Sequence, residues 1–312
     1  MSQAKNQQIV ARQVERIVRQ LTSLSTLPAV AANLLSEMSE ATFDAVRFSE
    51  HVQSDPALTA KILMLARQEQ ITFTHEATVA EAVAKLPLGL MREAVISVKV
   101  FEVFDLSEDM DAKRILPRRQ MALHSLAVAC CAGQLAELVL PAEQRQTAYL
   151  AGLLHDIGKC ALDEVMPKSF ERMVEETHTL GLSLIEVEQK HLGLDHTILG
   201  KRLAQKWQLP EAIVSAIWLH HCDSQTLAAP LPDVQIARII ALADRMARRA
   251  GIGKSGSCDT PEQIDPIAKL LSVTPEQLEA VAEGLPQEVR EKSAVLGLDN
   301  AAVTAGYYTM IR

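Results

Sequence analysis

Ala148-Tyr149-Leu150-Ala151-Gly152-Leu153-Leu154-His155-Asp156-Ile157-Gly158-Lys159 is the stretch on which the fold of this chain turns. Ala148, Ala151 and Gly152 are small residues whose spacing lets a neighbouring helix come close to the one carrying them. The apolar run then delivers His155 and Asp156, whose side chains hold borderline divalent metals such as zinc, iron or manganese. A core that needed only filling would not choose them, because each polar group must find a partner once it leaves water.

The same pattern recurs along the chain. His124 shares a helical face with Ala127, Val128, Cys131 and Leu135. His196 lies in line with Leu199, Gly200, Leu203 and Trp207, and Asp244 with Ala237, Ile240, Ala241 and Ala247. These are the three, four and seven spacings of a buried helical stripe. The doublet His220-His221 completes a set of five histidines, in a chain with only 9. A single buried histidine is more often a satisfied core residue than a ligand. Four inward-facing ionisable stretches on separate helices cannot all sit alone, and a shared cation satisfies them together.

Composition supports a helical, soluble protein. The chain has 312 residues, long enough for two domains, with 48% hydrophobic and 22% charged residues. Aromatics are only 4%, which favours helices over sheets. The net charge of −8 argues against a broad basic face for nucleic acid. Cys130, Cys131, Cys160, Cys222 and Cys258 show no C-x-x-C spacing and read as reduced thiols of a cytoplasmic protein. Met1 to Gln8 is polar, and no uninterrupted apolar stretch is long enough to span a bilayer.

Working outward, residues 1–22 read as an amphipathic helix carried by Ile9, Val10, Val14, Ile17, Val18 and Leu21. Residues 23–105 form a helical lobe. Within it Asp55-Pro56 starts one helix, Val79 to Leu86 forms another that ends at Pro87, and Met91 to Phe104 a further buried one. The polar stretch from Asp105 to Arg118 reads as a hinge into a second lobe, residues 106–250, which carries the histidines. Gly251 to Ser257 is a flexible linker by composition, opening a C-terminal helical extension over 251–312. It lacks the full phosphate-loop pattern and follows a helix rather than a strand. In the extension, Thr260-Pro261-Glu262-Gln263 and Thr274-Pro275-Glu276-Gln277 are matching helix starts, of short helices ending near Gly284 and Gly297. Trp207 and Trp218 read as core, and His191 as solvated.

Leu153-Leu154-His155-Asp156-Ile157-Gly158-Lys159 resembles the signature of the HD superfamily of metal-dependent phosphohydrolases. Leu27-Pro28, Asp55-Pro56-Ala57-Leu58 and Ala82-Val83 through Gly89 resemble the HDOD family, an HD-related output domain of bacterial signalling proteins. The likeness continues through Glu188, His196 with Gly200, Trp207-Gln208-Leu209-Pro210, His220-His221 and Ala243-Asp244, covering roughly Leu24 to Ala250. It implies an all-α fold with an HDOD-type lobe and an HD-type metal-binding lobe. It also implies one or two divalent ions (iron, manganese, zinc or nickel). His124, His155, Asp156 and Asp244 match the first-metal ligands, while His196, His220 and His221 match second-metal ligands of the related HD-GYP phosphodiesterases, with Asp156 bridging. Cys222-Asp223-Ser224-Gln225 stands where HD-GYP proteins carry Gly-Tyr-Pro, and Arg67-Gln68-Glu69 replaces an Asn-Ser stretch common in HDOD proteins.

Two functions follow as expectations. One is a signal-output domain that keeps the metal site and binds a signalling protein or a small phosphorylated ligand, with no membrane or nucleic-acid partner and with scope for a homo-oligomer. The other is an active phosphohydrolase or phosphodiesterase acting on a nucleotide, in which metal-bound water near neutral pKa attacks a phosphoryl group. There Asp156 and Lys159 are the catalytic residues, Lys159 offering charge to a phosphate oxygen, with Arg118, Arg119 and Arg245 as lesser choices. Di-iron redox chemistry is a third reading of the same ligand set.

Overall fold

The computed structural model describes residues 43–53, 78–91, 114–206, 209–230, 233–258 and 264–295, together with a few positions between 59 and 72 and position 95. Among the described residues the regular structure is helical, with no strand, in agreement with the all-α expectation. The chain divides into two units, one containing described residues 43–95 and the other 114–295.

In the first unit, α1 (Ala45–Gln53) starts where the Asp44 carboxylate accepts from the Val46 and Arg47 amides, at 3.0 and 3.1 Å. α2 (Val79–Lys85) is capped by Thr78, whose hydroxyl accepts from Glu81 N at 3.2 Å, and ends at Leu86 as Pro87 approaches. Phe48, Val52, Ile62, Val83, Met91 and Val95 form its core. The expected Asp55-Pro56 start, the Leu27-Pro28 break, the 1–22 helix and most of the Met91–Phe104 helix lie outside the described residues.

The second unit is organised around α3 (Arg118–Val139), which is apolar on nearly every side and buried along most of its length. By length and composition this helix could cross a bilayer; here its apolar surface faces other helices. α4 (Ala142–Leu154), α11 (Val234–Arg249) and α13 (Pro275–Val295) pack on it. Between them in sequence run α5 (Ile157–Val165), α6 (Pro167–Leu180), α7 (Leu184–Leu192), α8 (His196–Lys206), α9 (Glu211–Leu219) and the short α10 (Ser224–Ala228); α12 (Asp265–Leu270) precedes α13. α7 opens with a full capping box: Ser183 accepts from Glu186 N while the Glu186 carboxylate accepts from Ser183 N.

Helix contacts near the histidines depend on missing side chains. A Cβ on Gly158 of α5 would lie 1.9 Å from the His196 carbonyl oxygen, so only glycine lets α5 meet the start of α8. At the base of α5, Asp163 is buried and accepts from both Arg114 and Arg118, the latter at 2.5 Å. This pair ties α5 to the first turn of α3.

Two features of the extension differ from expectation. The Gly251–Ser257 segment is packed rather than loose: Ile252 is buried, Lys254 N donates to Gln120 O, and Thr177 donates to Gly256 O. Gly253 has φ +69, and a Cβ there would lie 2.3 Å from His124 N; the glycines serve close approach to α3 rather than flexibility. Thr274 does form the expected box with Gln277, but α13 runs through Gly284 and Pro286 to Val295. Leu285 and Val289 are fully buried on it, so tertiary packing overrides both helix breakers. The Thr260 start lies outside the described residues.

Candidate metal centre

Five segments aim polar side chains at one interior point. His124 projects from the second turn of α3, and His155 and Asp156 form the corner between α4 and α5. His196 opens α8, His220 closes α9 with His221 next to it, and Asp244 comes from the middle of α11. All are buried except His221, which is half-buried.

The side chains sort into two sets whose ligand atoms lie within 4.8 Å of one another: His124, His155 and Asp244; and Asp156, His196, His220 and His221. Asp156 stands between them. Its Oδ2 lies 3.2 Å from His155 Nε2 and 3.9 Å from His124 Nε2, while its Oδ1 lies 3.5 Å from both His196 Nε2 and His220 Nε2. Every residue proposed as a ligand from the sequence is therefore in the cluster, with Asp156 placed to bridge.

The ring hydrogen bonds fix what the cluster presents. His155 Nδ1 donates to Gly152 O at 2.7 Å, His220 Nδ1 to Ile217 O at 2.8 Å, and His196 Nδ1 to Glu188 Oε2 at 2.7 Å. With those protons on Nδ1, the bare Nε2 lone pairs point inward. The buried Nε2 atoms of His155, His196, His220 and His221, and Oδ1 of Asp156, have no hydrogen-bond partner. Acceptor faces acceptor, an arrangement costly for an empty interior and suited to a cation. Ligand bonds of about 2 Å put donor atoms roughly 3–4 Å apart, the scale seen here. The residues fit a metal ion, most clearly at the second set. The first set is partly satisfied without one, through His124 Nε2 to Asp244 Oδ1 at 3.1 Å.

The electrostatics agree. Burial pushes His220 down to about 4 despite the nearby Asp156 carboxylate, and holds His124 and, more strongly, His221 below the ordinary imidazole value. These rings stay neutral, the form that binds metal. Burial would raise the Asp156 carboxyl, yet His155 and Lys159 outweigh it and hold it well below the usual range. Asp244 is likewise held low, its burial outweighed first by the hydrogen bond with His124. Burial opposes charge on His155, but the Asp156 and Asp244 carboxylates win and raise it.

Lys159 is buried, one turn beyond Asp156, and donates to Asp156 Oδ2 at 2.6 Å. It belongs to the cluster rather than neutralising a helix terminus. Arg118 and Arg245 do not. Arg118 is engaged by Asp163 and Glu164, and the Arg245 guanidinium by backbone carbonyls, so the phosphate role considered for them is not supported. Cys160 and Cys222 are in neither set. Trp218 is 43% exposed with Lys201 Nζ 3.2 Å over its ring, correcting its reading as core. His191 is exposed but pairs with Glu176 at 2.6 Å. Trp207 lies outside the described residues.

Sequence reasoning missed the role of Glu188, which accepts from both the ring and the amide of His196 while fully buried. A lone acid among the apolar positions of α7 was the available signal. It also missed Asp163, whose partners are 45 and 49 residues away.

The model of the HDOD domain family matches residues 24–222. Ribonuclease Y of Acholeplasma laidlawii is 28% identical over 205 residues, covering 66% of this chain and 30% of that protein. An uncharacterized protein of Treponema pallidum is 22% identical over 171 residues, covering 54% of this chain and 32% of that one. The chain thus spans about a third of the length of these curated relatives. Among solved structures, an HDOD domain protein from Geobacter sulfurreducens superposes with a TM-score of 0.70 at 22% identity, over 92% of this chain and 98% of that one. A Shewanella amazonensis protein named as a candidate phosphohydrolase gives 0.60 at 21% identity, over 90% and 95%. At these identities the structures establish the fold.

Proposed function

This chain belongs to the HDOD family, and on that premise we propose that it is a signal-transduction output protein holding a two-ion metal site that receives a phosphorylated ligand. The carrying observation is the apposition of partnerless acceptors: four imidazole Nε2 atoms and Asp156 Oδ1, all buried. His124, His155, Asp156 and Asp244 would hold the first ion, and Asp156, His196, His220 and His221 the second. The five free cysteines are in keeping with a reducing, cytoplasmic setting. A signalling partner, or a second copy of this chain, would read the ligand state of the site.

The second reading, hydrolysis of a phosphate ester, is favoured by one observation: the buried Lys159 ammonium beside the bridging carboxylate. The ions, when bound, would supply a water of lowered pKa and charge for a phosphoryl oxygen. Around them, Asp156 would fix the spacing of the two ligand sets, and Lys159 Nζ could turn a donor to a phosphate oxygen. Glu188 would keep the His196 proton on Nδ1. The likeness to Ribonuclease Y makes a phosphodiester the first substrate class to try.

Elemental analysis of untagged protein tests the metal reading. Between one and two equivalents of a transition metal are expected per chain, and markedly substoichiometric metal after growth in metal-replete medium would count against it. Hydrolysis of a generic phosphodiester separates the two functional readings.

A further inference from the structure

Arg245 directly follows Asp244 on α11 and is buried, 3% exposed. Its Nη1 donates to Ala241 O at 2.7 Å, one turn back on the same helix, which fixes the guanidinium in place. From there Nη2 donates to Cys222 O at 3.2 Å and Nη1 approaches His220 O at 3.5 Å. Those two carbonyls bracket His221 at the end of α9. Terminal carbonyls of a helix lack intrahelical donors and carry its negative end, so a cation there is stabilising. The consequence for the site is geometric. Neighbouring residues of α11 serve opposite halves of the cluster: Asp244 bonds His124, and Arg245 grips the turn bearing His220 and His221.

We propose that Arg245 is a positioning residue for the second metal ion, acting through the His220–Cys222 turn to aim His220 and His221 at the ion shared with Asp156. The family model matches residues 24–222, and α11, which carries Arg245, lies outside that match. The inference rests on the two-ion reading given above. A guanidinium that only capped α9 would influence stability and leave the count of bound ions unchanged.

The test is cobalt(II) titration of the metal-free full-length chain, followed by its visible d–d bands, with melting measured in parallel. The wild-type chain should bind two ions. R245M, similar in length but without donors, should keep one ion near wild-type affinity and bind the other about tenfold to hundredfold more weakly, losing part of the band intensity. R245K, which can satisfy one carbonyl but not the fork, should fall between them. Two ions at wild-type affinity in R245M would overturn the clamp while leaving the two-ion reading intact. A wild-type chain that takes up no cobalt would overturn both. Should R245M fail to fold, R245K decides: a roughly tenfold weaker second ion supports the clamp, and unchanged affinity overturns it.

Discussion

His196 and Glu188 are both fully buried and joined by a 2.7 Å hydrogen bond from the imidazole Nδ1 to the carboxylate Oε2. Glu188 also accepts from the His196 amide at 2.9 Å, so one acid fixes ring, tautomer and helix start together. His155 and His220 are held instead by neutral carbonyls three residues earlier in the chain. A carboxylate acceptor orients the His196 ring more firmly than a neutral carbonyl would. Glu188→Gln keeps the shape and removes the charge. It should weaken binding of one metal ion about tenfold to hundredfold, in a competition titration against a chromophoric chelator, with little change in helix content.

Asp156 lies within reach of both ligand sets, its Oδ2 towards His155 and His124 and its Oδ1 towards His196 and His220. Asp156→Ala should abolish metal uptake at both positions, along with any phosphate-ester hydrolysis the wild-type chain shows. His155→Ala should abolish the same hydrolysis while leaving His196, His220 and His221 able to retain one ion. Circular dichroism should show both variants folded, with Asp156→Ala the less stable because it strands the buried Lys159 ammonium. Hydrolysis equal to wild type in either variant would assign the turnover to a contaminant.

Acid should destabilise the metal-free chain. Unfolded imidazoles take up protons near 6.5, whereas folded His220 resists until about 4, and His124 and His221 are also held below the ordinary value. Between these values the unfolded state binds more protons, so stability falls as pH drops from 6.5 to 4. His220 alone is worth on the order of 3 kcal/mol over that window. Asp156 and Asp244 act in the same sense at lower pH, their contribution being present above 3.8 and lost as pH falls through their depressed folded values. His155 is raised and opposes this, contributing below 6.5 and losing that contribution as pH rises through its folded value. Three lowered rings against one raised ring set the sign. Thermal melts of chelator-treated protein should therefore show a lower Tm at pH 5 than at pH 7; a Tm that rises on acidification would contradict the burial of these rings.

Gly158→Ala would put a methyl group 1.9 Å from the His196 carbonyl, so α5 and α8 must separate. The cost should be about 2–3 kcal/mol or more, read as a shift in urea midpoint. The displacement also moves His196 away from Asp156, so metal content should fall with stability. Gly181, where a Cβ meets nothing within 4 Å, is the contrasting position: Gly181→Asn should change stability little, since asparagine tolerates its left-handed φ of +66.

Much of the centre could be read from the residues alone. His124, His196 and Asp244 each lay on an apolar stripe with helical period, and all three are buried in the cluster. Lys159, Glu188 and Arg245 were legible as residues but not as roles. A lysine after Gly158 is equally suited to a helix end, and nothing in local spacing says that its ammonium turns back to Asp156. Local composition also misled at Gly251–Ser257 and at Gly284–Pro286, where flexibility and breakage are average tendencies that α3 overrides by packing. Trp218 failed in the other direction: its apolar neighbours suggested core, but Lys201 covers its face at the surface.

The sequence by itself determined the helical class and that His124, His155, His196 and Asp244 face inward, because periodicity is a local property written every three or four residues. It also determined that those side chains needed a common partner, since buried ionisable groups cannot stand alone. Only the tertiary structure decided how they divide: Asp156 between two sets, His196 backed by Glu188, and the His220–His221 turn held from α11. Those relations join segments up to 120 residues apart, as in His124 with Asp244. Their geometry is set by how helices pack, and packing depends on contacts that no single stretch contains.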